Sequence, residues 1–241
     1  MNERDVIQQL GVPYGRCRSY EDQGLVENII DPGTSNERRE RIQFRTAFRR
    51  PLFFRFEWRI LDRITGVAGD VEMIWCDGIK SFSKNRFEEQ PIECDSLDHA
   101  IAGATSVAAH TVSALLMPGV LTFSFMRHGA LSSMPEENFG GEQCYHVVAN
   151  TEEQRTDILV GKAKFVLRRI REERVMKGGA HNVNLPELPP GIGTAEHEEM
   201  MRILAESAEE DLHTISDCTY SHVRFDGEIP ETIFKVLGTP T

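Results

Sequence analysis

A thiol and an imidazole stand two positions apart in the stretch 142–149, EQCYHVVA, where Cys144 and His146 flank a tyrosine. Alternate residues of a strand point to the same face, so this spacing could support a cysteine nucleophile beside a base. The sequence shows no glycine-rich nucleophile turn, no oxyanion hole and no third residue to orient the histidine. We therefore expect the protein not to be an enzyme, and a Cys–His hydrolase ranks third among the candidate functions.

Metal, cofactor and nucleic-acid binding are disfavoured by spacing and charge. The five cysteines include no CxxC pair, and the eight histidines include no HExxH arrangement. The Gly/Pro-rich stretch 178–193 lacks the lysine and the strand–helix context of a phosphate-binding loop. The formal net charge of −11 is opposite to that of most nucleic-acid-binding proteins. We expect no metal, no cofactor and no nucleic-acid partner.

An arginine interrupts the most apolar part of the chain. In FRRPLFFRFEW, residues 48–58, the even positions are apolar except for Arg50, and most odd positions are charged. This alternation is typical of strands with one buried face and one solvent-exposed face. Because an isolated buried charge is very costly, a guanidinium on the buried face needs carbonyl or carboxylate partners. The alternative is a bulge at Pro51 that turns Arg50 towards solvent.

The apolar side of this segment has two interpretations. It could be the filled core of a two-layer fold, or it could border a space that is only partly filled. The strand register around 74–75 is open, so one of Ile74 and Trp75 could face outward.

Strands must position most of these residues. Period-two patterns and turn signals predict strands in the following order: 25–30, two within 41–61 separated near Pro51, 71–78, 79–84, 142–149, a hairpin about Gly161, 219–227 and 231–236. The stretch 178–193 is predicted to be a loop. The order of these strands indicates an antiparallel meander.

Four helices are predicted beside the strands. The first covers 3–10 and is followed by Gly11 and Pro13. Two short apolar helices follow, one beginning near 97 with Ser96 as its N-cap and one from about 107 to 116. The fourth begins at Thr194 and carries an apolar stripe of Met201, Leu204, Ala208, Leu212 and Ile215.

Several of these segments together resemble the LolA/LolB-type lipoprotein carriers and their larger exported relatives. They are RRPLFFRFEW at 49–58, MIWCDG at 73–78, the apolar helical stretch, and IFKV at 233–236 followed by a proline. The resemblance covers about 20–90, 140–170 and the last twenty residues. It implies an incomplete antiparallel β-barrel whose concave face shelters acyl chains under short helices, with Arg50 holding that helical lid. The ligand-binding candidates that follow from the resemblance are Arg50 together with Phe48, Leu52, Phe54, Phe56, Trp58, Ile74, Trp75, Leu115 and Leu116. The chain is longer than those carriers, and its predicted helix at 194–215 has no counterpart in them.

These observations define one set of expectations. The fold is α+β and mainly β, a half-barrel meander with helices over its concave face. Residues 1–241 form a single domain, with a helical lid insert at about 96–117 and an extra helix at about 195–213. The protein is expected to be a non-enzymatic binding protein for an acyl chain or the lipid of a lipoprotein. The alternative is a cell-envelope interaction or structural module with a filled core, which would dock a protein partner.

Location follows from the resemblance and from the N-terminal residues. The longest apolar runs are too short for a membrane span. The first residues, MNERDVIQQLGV, lack the charged and apolar regions of a signal peptide. We expect the periplasm or cell envelope if a leader has been removed, and the cytoplasm otherwise.

Overall fold

An open, eleven-stranded antiparallel sheet dominates the described residues. The computed structural model describes residues 1–104, 107–119, 129–177 and 211–235. The strands are β1 Ser19–Ile30, β2 Arg38–Arg49, β3 Phe53–Leu61, β4 Glu72–Asp77, β5 Ser81–Lys84, β6 Ile92–Cys94, β7 Ala130–Phe139, β8 Glu142–Asn150, β9 Gln154–Gly161, β10 Val166–Met176 and β11 Leu212–Phe225. Their order in the sheet is β6-β5-β4-β3-β2-β1-β11-β10-β9-β8-β7. The predicted half-barrel meander is confirmed.

Long-range pairing of β1 with β11 joins the two halves of the sheet. The register runs from Tyr20 opposite Phe225 to Ile30 opposite Thr214. On the other side of β1, Ser19 to Ile30 pair with Arg49 to Arg38 of β2. Strand β1 therefore occupies the centre of the sheet, and its inward-facing side chains lie at the bottom of the half-barrel.

Within the described ranges three α-helices, α1 Glu3–Arg16, α2 Leu97–Ala102 and α3 Val107–Leu116, cover one face of the sheet. We call this the inner face and the opposite one the outer face. Helix α1 contacts β7, β8 and β10, α2 contacts β4, β5 and β6, and α3 lies between α1 and α2 and contacts β11. The helices thus form a second layer across the concave side of the sheet.

Local signals explain where two of these helices begin. Asn2 caps α1 by accepting the backbone N–H of Asp5 at 2.9 Å, and the Asp5 side chain completes a capping box. The Ser96 hydroxyl accepts the backbone N–H of His99 at 3.0 Å, which confirms the predicted N-cap of α2. Side chains at helical spacing, Val6, Ile7, Leu10 and Tyr14, bury the sheet-facing side of α1.

Helix α1 continues six residues beyond its predicted end at residue 10. Pro13 lies inside it, although proline removes a backbone hydrogen bond from a helix. Tyr14 follows the proline and is completely buried, and its hydroxyl accepts the backbone N–H of Leu167 at 3.1 Å. This contact with β10 stabilises the last turn, so tertiary packing outweighs the local helix-breaking signal.

The end of the chain differs from its prediction in two places. The segment predicted as a strand at 231–236 begins as a 3₁₀-helix, Glu231–Phe234, which packs on the outer face against β3 and β4. Leu212 and Ile215, predicted on the stripe of the fourth helix, lie in β11. The remainder of that helix, together with the predicted loop at 178–193, lies outside the described residues. Strand β7 was not predicted, because its residues are polar and include Pro135.

Candidate functional site

Three rows of side chains cross the inner face at its centre. They follow from the antiparallel registers of β1 to β4, in which every second residue points to the same side. The first row is Tyr20, Phe48, Phe54 and Cys76, the second is Asp22, Thr46, Phe56 and Ile74, and the third is Gly24, Phe44 and Trp58. Apart from Gly24, which has no side chain, every member is buried.

The aromatic members of these rows pack directly on one another. The Phe44 ring stacks on Phe56 with centroids 5.7 Å apart, and Phe56 lies 5.7 Å from Trp58. Phe44 also meets Tyr220 of β11 edge-on at 5.5 Å. Each fully buried aromatic or aliphatic side chain stabilises the fold by about 1.5–3 kcal/mol. In this closed arrangement the rows form a dry, packed core beneath the helices.

Arg50 lies in the turn after β2 and points towards the helices. Its Nε donates a hydrogen bond to the carbonyl of Cys17 at 2.8 Å. Its Nη2 donates to the carbonyls of Tyr14 at 3.2 Å, Gly15 at 2.7 Å and Leu116 at 3.1 Å. One guanidinium therefore joins the C-terminal end of α1, the C-terminal end of α3 and the end of β2.

The charge of Arg50 suits this position. The last carbonyls of a helix lack partners within the helix and carry the negative end of its dipole. Two such ends converge on the guanidinium, which also lies 5.3 Å from the centre of the Phe48 ring. Burial raises the pKa of the neighbouring Cys17 thiol to about 11, and the positive charge of Arg50 opposes that rise.

The other predicted lining residues fall into three environments. Leu116 is fully buried, whereas Leu52 and Leu115 are half-buried and pack against the edge of the core. Ile74 faces inward beside Phe56. Trp75 is the outward-facing member of its pair, because consecutive residues of a strand alternate, and it stacks on Phe82 with centroids 5.2 Å apart.

Open space borders the rows at one side. A cleft of about 520 Å³ lies between β4, β5, β6 and α2, lined by Ile74, Ser83, Ile92, Cys94, Ala100 and Gly103 among others. Of the predicted lining residues, Ile74 borders this cleft. The cleft therefore connects the outside to the end of the second row, directly beneath α2.

A buried carboxylate on the inner face escaped the sequence reasoning. Asp22 accepts a hydrogen bond from the Tyr20 hydroxyl at 2.6 Å and another from the backbone N–H of Thr46 at 3.1 Å. Burial raises its pKa to about 6, although both neighbours favour the charged form. The available signal was the alternation of Tyr20, Asp22 and Gly24 in YEDQG, which places them on the same side as the rows.

Cys144 and His146 share the outer face but lack the geometry of a nucleophile and its base. The Cys144 thiol is fully buried, contacts the carbonyl of Glu142 at 3.6 Å, and has its pKa raised by burial. His146 Nε2 lies 2.8 Å from Asp157 Oδ1. A thiol with a raised pKa is a poor nucleophile, so this arrangement favours a structural role for both residues.

A metal site requires a group of ligating side chains, and a membrane-spanning helix requires a long apolar segment. In the described ranges, His, Cys, Asp and Glu side chains form no group of three or more that could hold a metal ion. None of the helices in those ranges is both long and apolar enough to cross a membrane.

Comparison with known proteins gives similarities in structure. No protein-family model matches the chain, and no curated protein matches it. A LolA superfamily protein from Nitrosomonas europaea has 11% identity, 98% of each chain covered and a TM-score of 0.35. A DUF1329 family protein from Desulfovibrio piger has 10% identity, 96% of each chain covered and a TM-score of 0.37. The MucA/MucB complex from Pseudomonas aeruginosa has 8% identity and a TM-score of 0.45, with 96% of this chain and 60% of that chain covered.

Proposed function

We propose that the protein is a non-enzymatic binding protein that takes up an acyl or alkyl chain along its inner face, beneath α2 and α3. The observation that carries this proposal is Arg50, which fastens the end of α3 to the end of α1 directly over the aromatic rows. Besides capping the two helix ends, this arrangement suits a removable cover, because hydrogen bonds can open and re-form without the repacking that a hydrophobic contact requires.

The chain of the ligand would enter through the cleft beneath α2. Ile74 lines this cleft and is also the last member of the second row. Displacement of α2 would therefore expose its neighbour in that row, Phe56. Burial of the ligand contributes roughly 0.8 kcal/mol for each methylene, and a long chain can therefore replace the apolar packing that the displaced helices provide in the closed form. The small residues of α2 and α3, such as Ala100, Ala108 and Ala109, allow these helices to move with little steric hindrance.

Arg50 would control this opening. In the closed form its guanidinium holds α3 through the Leu116 carbonyl while three carbonyls of the α1 end hold the guanidinium. Of the four hydrogen bonds made by Arg50, release of α3 breaks only the one to Leu116 at 3.1 Å, so Arg50 can remain attached to α1 in the open form. Its partners in such a cycle would be an apolar ligand or a lipoprotein, and the setting would be the cell envelope or periplasm.

Displacement of a neutral fluorescent alkyl analogue tests the proposal. We expect saturable binding of the analogue and its displacement by unlabelled long-chain amphiphiles. Native mass spectrometry after gentle extraction should show a co-purified lipid. Failure of the analogue and of every tested amphiphile to bind would contradict the proposal.

A protein-interaction module is the second candidate, and the packing of the rows favours it. Phe48 and Phe54 have no exposed surface, as in an ordinary core. The edge strand β7 carries mostly exposed side chains and could dock a partner by adding a strand to the sheet. Absence of lipid binding together with capture of a peptide along β7 would establish this alternative.

A further inference from the structure

A carboxylate is buried near the middle of the inner face and has no cationic partner among the residues that the structure describes. Asp22 has 2% of its surface exposed. Its hydrogen-bond partners within the described ranges are the Tyr20 hydroxyl and the Thr46 backbone, and neither carries a positive charge. A carboxylate can accept about four hydrogen bonds, so Asp22 retains free acceptor positions. A buried anion in this state is costly unless a cation joins it.

Buried polar atoms that lack a regular hydrogen bond lie on the same face of the sheet as this carboxylate. Within the described ranges these are Thr46 Oγ1, the Tyr220 hydroxyl and Trp58 Nε1, and the Tyr220 hydroxyl lies beside the Cys218 thiol. The Thr46 side chain lies opposite Asp22 across β1 and β2 and, like the Thr46 backbone, lowers the pKa of Asp22. Folded proteins pair nearly all buried polar groups, so these atoms have hydrogen-bonding capacity that a polar ligand group could use.

Aromatic rings enclose the same position. Asp22 belongs to the second row, which also contains Phe56. Tyr20 lies in the first row on one side of it, and the Phe44 and Tyr220 rings meet over Gly24 in the third row on the other side. A β-carbon on Gly24 would collide with the Phe44 ring, so glycine is required for this ring to lie across β1. The faces of Tyr and Phe rings attract cations.

We propose that Asp22, Thr46 and Tyr220 receive the primary ammonium head of an amphiphile whose chain lies along the aromatic rows. This inference rests on the proposed function and specifies its ligand. An ammonium group supplies three N–H donors, which match the carboxylate and the two hydroxyl oxygens. Its charge neutralises Asp22 in a region of low dielectric, where ion pairs are strong. A fatty-acid carboxylate or a phosphate would instead be repelled by Asp22.

Four amphiphiles with the same chain test the inference at neutral pH: dodecylamine, dodecyltrimethylammonium, dodecanol and laurate. Their affinities for the full chain are measured by displacement of a neutral fluorescent alkyl probe. We expect dodecylamine to bind about tenfold to a hundredfold more tightly than dodecanol and laurate. It should also bind more tightly than the quaternary amine, which has no N–H donor. Equal affinities, or tighter binding of the quaternary amine or laurate, would overturn the inference.

Variants separate the head-group site from general chain binding. Asp22→Asn should remove the preference for dodecylamine and leave the affinity for dodecanol within about threefold. Thr46→Val, which keeps the shape of the side chain, should reduce the preference and provides a second measurement if Asp22→Asn fails to fold. The matched control is Glu21→Gln, since Glu21 is the adjacent carboxylate and pairs with Arg224. A preference that survives in Asp22→Asn or in Thr46→Val, or that is lost in Glu21→Gln, would also overturn the inference.

The two proposals fail in different ways. If none of the four amphiphiles binds, the proposed function is wrong and the inference is wrong with it. If all four bind without a preference for the primary amine, the protein binds apolar chains and the head-group site alone is wrong.

Discussion

Replacement of Arg50 by methionine should release α3 from α1 while leaving the sheet intact. The substitution removes four hydrogen bonds of 2.7–3.2 Å from a charged donor to backbone carbonyls. Hydrogen bonds that involve a charged group contribute about 1.5–3 kcal/mol each in isolation. The site is part-buried, and water can reach some of these carbonyls once the guanidinium is gone. We therefore expect a total loss of about 2–4 kcal/mol in the free energy of unfolding.

The structure predicts which segments lose protection from amide hydrogen exchange in this variant. Amide hydrogen exchange should accelerate in α3 and in the last turn of α1, because both helix ends lose their common partner. Exchange in β2 and β3 should change much less, since their ladders do not depend on the side chain. Global stability is measured by urea denaturation, and local protection is read by mass spectrometry of peptides covering 97–117 and 1–18.

Arg55→Met is the matched control for this experiment. Arg55 also donates to a backbone carbonyl, that of Ile233 at 2.7 Å, but this bond holds the 3₁₀-helix on the outer face. Its loss should increase exchange at 231–235 and leave α3 protected. Arg50→Lys should lie between Arg50→Met and the native protein, because lysine keeps the charge but lacks the planar fork. Unchanged protection of α3 in Arg50→Met, or equal loss of it in Arg55→Met, would refute the reasoning.

Three further predictions concern the centre of the inner face. Burial raises the native pKa of Asp22 to about 6, above its unfolded value of about 3.9, so stability is lost as pH rises from about 4 to about 6. The stability difference between Asp22→Asn and the native protein should therefore increase by about 2 kcal/mol from about pH 4 to about pH 7 in denaturant titrations. Gly24→Ala should cost about 1–3 kcal/mol of unfolding free energy in urea, because the added carbon collides with the Phe44 ring and with the backbone carbonyl of Thr219. Tyr14→Phe should cost about 1–3 kcal/mol and lower the melting temperature, because the Leu167 N–H loses its acceptor.

Much of the sheet was predictable because burial follows the local alternation of residues. In β2 the side chains of Ile42, Phe44 and Phe48 are buried while their neighbours are more exposed, and the sequence carries that period directly. Strand β7 has no such period, because its position at the sheet edge leaves both sides polar. The extension of α1 past Pro13 depends on Leu167, which lies 153 residues from Tyr14 along the chain.

The candidate site was predictable in part, for a related reason. An arginine among apolar residues left two alternatives, a partnered buried charge or a bulge towards solvent, and the resemblance to the lipoprotein carriers predicted that Arg50 contacts the helices. Its three hydrogen-bond partners at the end of α1 were not predicted, because every residue has a backbone carbonyl and the sequence does not show which of them a side chain will contact. Asp22 was missed because an acidic residue in a strand is ordinarily solvated. The pairing of β1 with β2 and β11, which buries it, is set by the whole sheet.

Contact quenching of tryptophan tests the central claim most directly. The chain has two tryptophans, and they lie on opposite faces, Trp58 among the rows and Trp75 on the outer face. In Trp75→Phe, a brominated alkyl amphiphile should quench Trp58 in a saturable way, because bromine quenches at contact distance. In Trp58→Phe, the remaining Trp75 should keep its emission. Unquenched Trp58 at saturating ligand, or quenching confined to Trp75, would show that the apolar chain does not lie on the inner face.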